Sequence, residues 1–142
     1  MRVLGIDVGS HRIGVAVSDP TGTIAQGLVV IPRTGWRPVA SEVRRLAQEY
    51  QIERVVVGLP LRMDGTEGDA ARQAKAFAQR LRGVLDVPVV MADERLSTAE
   101  AERALVAQDV RREKRRKRRD AVAAALFLQT YLDRQHAAGR TE

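Results

Sequence analysis

At 142 residues, the chain is long enough to bury one substantial core, and the reading is a single domain spanning residues 1–142. It has no cysteine, which excludes a disulfide framework, a thiolate zinc site and a cysteine nucleophile, and its two histidines, His11 and His136, are too far apart in sequence to form a local metal motif. No apolar run approaches the roughly 20 residues of a membrane helix, and the chain enters a strand pattern at once, so a cytoplasmic protein with no membrane partner is expected.

The first element is an apolar run over residues 2–8, read as a strand buried on both faces. A second strand over 12–18 sets Ile13, Val15 and Val17 against Gly14 and Ala16, and a third covers 23–31. The separators "GSH" and "DPTG" read as hairpin turns. A helix follows at about 37–50, then an apolar strand "RVVVGL" at 54–59, a helix at about 67–82 and a strand "VPVVMA" at 87–92. A helix opening at Ser97, with Ser97 and Glu100 as a capping box, leads through the basic run to a last helix at about 119–135. Three strands in a meander followed by alternating helices and strands predict an α/β fold, a mixed sheet with helices on both faces.

Asp7 interrupts the first strand's apolar pattern, and a lone carboxylate there is costly without a positive partner. Parallel strands of such a sheet place ligand groups at their carboxyl ends. Asp7 closes the first strand and "DER", residues 93–95, closes the last, so Asp7 and Glu94 would converge if those strands lie close together. Two such carboxylates repel unless a divalent cation joins them, and Mg²⁺ favours carboxylate oxygens. The alternative for Asp7 is a turn cap bonding the N–H groups of residues 9 and 10. Asp120, where the basic run meets "AVAAALFLQTYL", is the third acidic candidate, with a helix cap as its alternative and Asp93 in reserve beside Glu94.

Net charge is +6, and it is concentrated: "RREKRRKRR", residues 111–119, holds eight Lys/Arg and one Glu, a net +7, leaving −1 on the rest. Such a run binds phosphates, with a solvated loop as its alternative. Its cations Arg111, Arg112, Lys114, Arg115, Arg116, Lys117, Arg118 and Arg119 are the main nucleic-acid-binding candidates. Arg12, on the first hairpin, with a solvated turn charge as its alternative, and Arg95, which either meets a phosphate or orients Glu94, join them. The glycines of "GLPLRMDGTEG" suggest a phosphate loop, but no Lys-Ser/Thr follows, and Thr66 with Asp69 reads as a helix cap. Trp36 reads as a packing residue, with stacking on a base as its alternative, and five aromatics do not suggest a base-stacking platform of the single-strand-binding type.

The segments "GIDVGSHRIGVAVSD", "VVGLPLRMDGTEG", "DERLSTAEAE" and "DAVAAALFLQTYLD", in this order through essentially the whole chain, resemble those of the YqgF/RuvX family within the RNase H-like superfamily. The resemblance implies an RNase H-like fold with a five-stranded sheet and a metal-dependent endonuclease. Its catalytic and metal-binding residues, carried over by motif, would be Asp7, Glu94 and Asp120, holding Mg²⁺ or Mn²⁺, two ions in number. These would flank the scissile phosphate in an in-line displacement. The substrates it implies are branched DNA, resolved at Holliday junctions, or precursor ribosomal RNA, matured at the 5′ end of pre-16S rRNA. A junction cutter should act as a homodimer with sites spaced for two nicks, whereas an RNA trimmer can be a monomer, so a homodimer and a monomer both stay open. Competing with the nuclease are a nucleic-acid-binding module with a lapsed catalytic site, separated by metal-dependent cleavage, and an actin/hexokinase-like phosphotransferase, whose two lobes 142 residues cannot supply.

Overall fold

A computed structural model describes residues 1–94 and 112–140, with side chains described for 1–94 and 121–139. The opening apolar run is β1 (Val3–Val8), followed by β2 (Arg12–Ser18) and β3 (Ala25–Pro32). Then come α1 (Trp36–Glu49), β4 (Arg54–Leu59), α2 (Asp69–Arg82), β5 (Val89–Asp93) and α3 (Arg112–Arg140). Strand order is β3-β2-β1-β4-β5, with β1–β2 and β2–β3 antiparallel and β1–β4 and β4–β5 parallel. The central strand β1 is paired on both edges and covered by helices on both faces, which is why its residues Val3 to Ile6 are all buried.

The two faces of the sheet are filled differently. Leu4, Ile6, Ile13, Val15, Val55 and Val57 point to the side of α1 and α2 and form one core with Val39, Val43 and Leu46 of α1 and Phe77, Ala78 and Leu81 of α2. Each of these apolar side chains gains roughly 1.5–3 kcal/mol from full burial. The spacing of Val39, Val43 and Leu46 is the helical one that keeps a single stripe against a sheet. On the other face, Val3, Ala16 and Val56 meet Ala124, Phe127, Leu128 and Leu132 of α3.

Beneath α3 the residues become small. Gly5, Ala16 and Gly27 stand in one register across β1, β2 and β3. A Cβ at Gly5 would come within 2.9 Å of the Leu128 Cβ, and one at Gly27 within 3.2 Å of the Ala121 carbonyl oxygen. This row forms a shallow trough in which the helix lies.

Element boundaries follow local chemistry. β5 begins at Val89 rather than at 87, because Pro88 lacks the N–H that a ladder needs, while its carbonyl accepts from Val55 N at 2.9 Å. α2 begins at Asp69 behind Gly68, with no side-chain cap. The expected Thr66 cap is not made: its hydroxyl and N–H both donate to Asp64 Oδ1, at 2.6 and 2.9 Å, closing a turn in which Gly65 takes φ 87°. The basic run is also not the loop expected from the sequence. From Arg112 onward it forms the opening turns of α3, which is one helix to Arg140 rather than one starting near 119. Arg and Lys are good helix formers, like charges a turn apart cost only a few tenths of a kcal/mol per pair, and the packed residues 121–132 anchor the helix they extend. Arg95, Arg111 and the capping box of Ser97 and Glu100 lie outside the described residues.

Candidate active site

Alternation along β1 decides where Asp7 points. Val3 packs under α3 and the missing side chain of Gly5 faces Leu128, so Asp7, two residues further, belongs to the α3 face. Leu4 and Ile6 belong to the opposite core. The strand ends there because Gly9 turns the chain into β2, its N–H donating to the Arg12 carbonyl at 2.9 Å. A Cβ on Gly9 would sit 2.6 Å from that same oxygen, so only glycine fits this turn.

The same logic separates Asp93 from Glu94. On β5, Val90 and Ala92 pack on the α3 side while Val89 and Met91 join the opposite core. Asp93 follows the parity of Met91, and Glu94 that of Ala92. Glu94, 6% exposed, reaches Asp7 and hydrogen-bonds to it. β1 and β5 are not neighbours, however, since β4 lies between them. The carboxylates meet across Gly58: a Cβ there would collide with Glu94 Oε2 and lie 2.8 Å from its Cδ. Sequence reading took Gly58 as part of a glycine-rich loop; its role here is to leave the space that Glu94 fills. The only signal was a glycine at the end of an otherwise apolar strand, "RVVVGL".

The electrostatics of this pair are unfavourable without a cation. Burial is the largest cause that raises the Glu94 carboxyl above the ordinary range, followed by the negative charge of Asp7, the hydrogen bond with Asp7 and the charge of Asp93. Glu94 is therefore held protonated and donates to the Asp7 carboxylate. Two hard oxygen donors that can share a site only through a proton or a cation suit Mg²⁺ or Mn²⁺. Among the described residues no three His, Cys, Asp or Glu side chains converge as a metal-holding group. Asp120 lies in α3 one turn ahead of Ala124, with its side chain outside the described residues.

The remaining candidates are distributed as follows. Arg12 opens β2, exposed on the hairpin that follows Asp7. Arg112, Lys114, Arg115, Arg116, Lys117, Arg118 and Arg119 lie in the first turns of α3, their side chains outside the described residues. The first turn of α2 carries Asp69, paired with Arg72, so a carboxylate already stands where an anion would dock. Trp36 packs as expected, its ring edge-on to Phe77 with centroids 5.6 Å apart. One residue escaped sequence reading altogether. Arg33 Nη1 donates to the Gly9 carbonyl at 2.9 Å and to Gln73 Oε1 at 3.0 Å, bracing the hairpin that carries Asp7 against α2. An arginine after a strand carries no signal of such a role.

Comparison with known proteins supplies the family. A curated protein of Syntrophomonas wolfei, named "Putative pre-16S rRNA nuclease", is 45% identical over 133 residues, covering 94% of both chains. One of the same name from Desulforamulus reducens is 47% identical over 136 residues, 94% of this chain and 97% of the other. Among solved structures, Thermus thermophilus RuvC in complex with Holliday junction substrate superposes with a TM-score of 0.54 at 18% identity, covering 89% and 91% of the two chains. The fowlpox virus resolvase with its Holliday junction DNA gives 0.57 at 12% identity, covering 95% and 99%. At these identities the structures establish the shared fold, a mixed five-stranded sheet of RNase H-like type, as the sequence led one to expect. The family described as "RuvX: Holliday junction resolvase" matches residues 1–134, and this chain belongs to it.

Proposed function

We propose that the protein is a divalent-metal-dependent endonuclease of the cytoplasm that hydrolyses phosphodiester bonds in structured nucleic acid. The observation that carries this reading is the Asp7–Glu94 pair, two carboxylates brought together at the carboxyl ends of parallel strands and unable to ionise together unaided. Asp7 and Glu94, with Asp120 from α3, would hold the metal. When bound, the ions supply an activated water and neutralise charge on the leaving oxygen.

The chain's own residues do the rest. Asp7 and Glu94 would hold the cation as carboxylates, the Glu94 carboxyl releasing its proton to solvent. Gly58 leaves room for Glu94, and the short Gly9–Ser10 turn keeps the approach to Asp7 low. Arg12, Arg95, Arg111 and the cations at the start of α3 draw in the phosphate backbone, a sequence-independent and salt-sensitive attraction.

Precursor small-subunit ribosomal RNA is the substrate we favour, supported by the pre-16S rRNA nuclease name carried by relatives that match nearly the full chain. Junction DNA is the second reading, supported by the description of the family itself. Both substrates, offered to the purified protein at matched salt with Mg²⁺, decide between them. Cleavage of the RNA by a monomer is the expected result. Paired symmetric nicks in the junction, made by a dimer, would select the second reading, and binding without cleavage of either would leave a nucleic-acid-binding module.

A further inference from the structure

A groove of about 330 Å³ opens between the start of α1 and α2, on the side of the sheet away from α3. Its walls include Arg33, Thr34, Trp36, Gln73, Phe77 and Arg80, and among the described residues no carboxylate lines it. We infer that this groove holds one unpaired nucleotide of the strand cut at the Asp7–Glu94 site, the base against Trp36 and the phosphate on Arg33 and Arg80. The inference rests on the nuclease reading and gives it a second contact.

The chemistry of the walls selects this occupant. A nucleotide needs a flat apolar surface for its base and cations for its phosphate, and both stand here side by side. The half-buried indole of Trp36 is fixed by its edge-on contact with Phe77, at an interplanar angle of 85°. The Arg80 guanidinium lies over the indole ring, 4.5 Å from its centroid, so a cation is stacked on one face of the ring and a base would pack against this guanidinium–indole pair. Gln73 and Thr34 supply a side-chain amide and a hydroxyl for base edges. The volume is at the small end of ligand pockets, enough for a single nucleotide and far too little for a duplex.

Position argues the same way. Arg33 is shared between the groove and the hairpin, because it lines the groove while its Nη1 donates to the carbonyl of Gly9, two residues beyond Asp7. Two residues of extended chain span at most ~7 Å. A strand that crosses the rim of the sheet at this hairpin thus reaches the groove on one face from the carboxylates on the other. An occupant held by Arg33 would be felt by the turn that carries Asp7.

Trp36 is the single tryptophan of the chain, so its emission reports the groove directly. The test titrates the full protein with a single-stranded hexanucleotide in Ca²⁺, which supports binding with little turnover. Binding is read both from the anisotropy of a labelled strand and from Trp36 emission with an unlabelled one. Emission should change with the same midpoint as anisotropy, and a blunt duplex of the same sequence should leave it unchanged. Arg80→Gln and Arg33→Gln should each weaken strand binding about fivefold and flatten log K against log salt by about 0.7. Strand binding with unchanged emission, unaffected by either variant, would overturn the groove and leave the nuclease reading standing. A protein that binds no nucleic acid would overturn both. Adenosine monophosphate binding more tightly than the strand would make the groove a mononucleotide site and also overturn the proposal.

Discussion

Two carboxylates at opposite ends of the sheet have opposite fates. Asp19, in the β2–β3 turn, accepts from the N–H groups of Thr23 and Ile24 at 2.8 and 2.9 Å, and from the N–H and hydroxyl of Thr21. These bonds, that of Ile24 first, hold its carboxyl below the ordinary range. Glu94 is buried beside Asp7 and is held above that range. One acid is complete as an anion within its own turn, while the other needs something from outside the chain. The difference separates an acid that serves the architecture from the one to which the proposed function gives chemistry.

Asp7→Asn breaks the comparison most severely. With one charge of the pair removed, divalent-dependent cleavage should fall by well over the roughly 10–100-fold that follows loss of a residue merely orienting a ligand. Folding should survive, and the metal-free protein should melt higher because Glu94, no longer beside the Asp7 charge, need not be held protonated so far above its ordinary range. Cleavage rates and a melting curve on the same preparation check this. Undiminished cutting would remove Asp7 from the site.

Gly58→Ala tests whether Glu94 depends on the space left for it. The added methyl would lie where Glu94 Oε2 and Cδ now sit, displacing that carboxyl from Asp7. Activity should drop about 10–100-fold, and Mn²⁺ affinity by calorimetry should fall with it. Full activity would show that the carboxylates do not need to meet across β4.

The pH dependence of stability sharpens the contrast by its sign. A folded pKa above the unfolded value means that Glu94's stabilisation is present below about pH 4.3 and is lost as pH rises. The metal-free protein should therefore melt lower as pH is raised from acid toward neutrality and beyond, and Glu94→Gln should flatten that slope. Ca²⁺ should restore stability, more at pH 8 than at pH 5. Asp19 works in reverse: its contribution is present above about pH 3.9 and is lost as pH falls. Asp19→Asn should thus lower the melting temperature at neutral pH, lose less on acidification than the parent, and leave cleavage nearly unchanged.

The order of strands and helices was legible because apolar runs and turn residues are local signals. Asp7 was legible for the same reason, as an acid breaking an apolar strand. What could not be read depended on non-local order. Gly58 acquires its role only because β4 lies between β1 and β5, and the choice of Glu94 over Asp93 needed the faces that Val90 and Met91 occupy. Arg33 needed the hairpin to fold back onto α2. The basic run failed in the other direction: its charge suggested a loop, whereas helix propensity and the anchored residues behind it extend α3 through it.

The row of Gly5, Ala16 and Gly27 under α3 has a mechanical consequence. Two of its three residues lack a side chain, so the height of the helix above the sheet is set by close approach at Gly5 and Gly27, beside the packing of Phe127, Leu128 and Leu132 on Val3 and Val56. That makes the trough a bearing surface and α3 a lever resting on it, with Asp120 on the arm beyond the fulcrum at Ala121–Leu132. A methyl group added at Gly5 would come 2.9 Å from the Leu128 Cβ, too close for the helix to keep its seat there. A misplacement of about 1 Å at a reacting centre costs about 10²-fold in rate, so a change made deep in the apolar interior, touching neither metal nor nucleic acid, would be read out at the cutting edge.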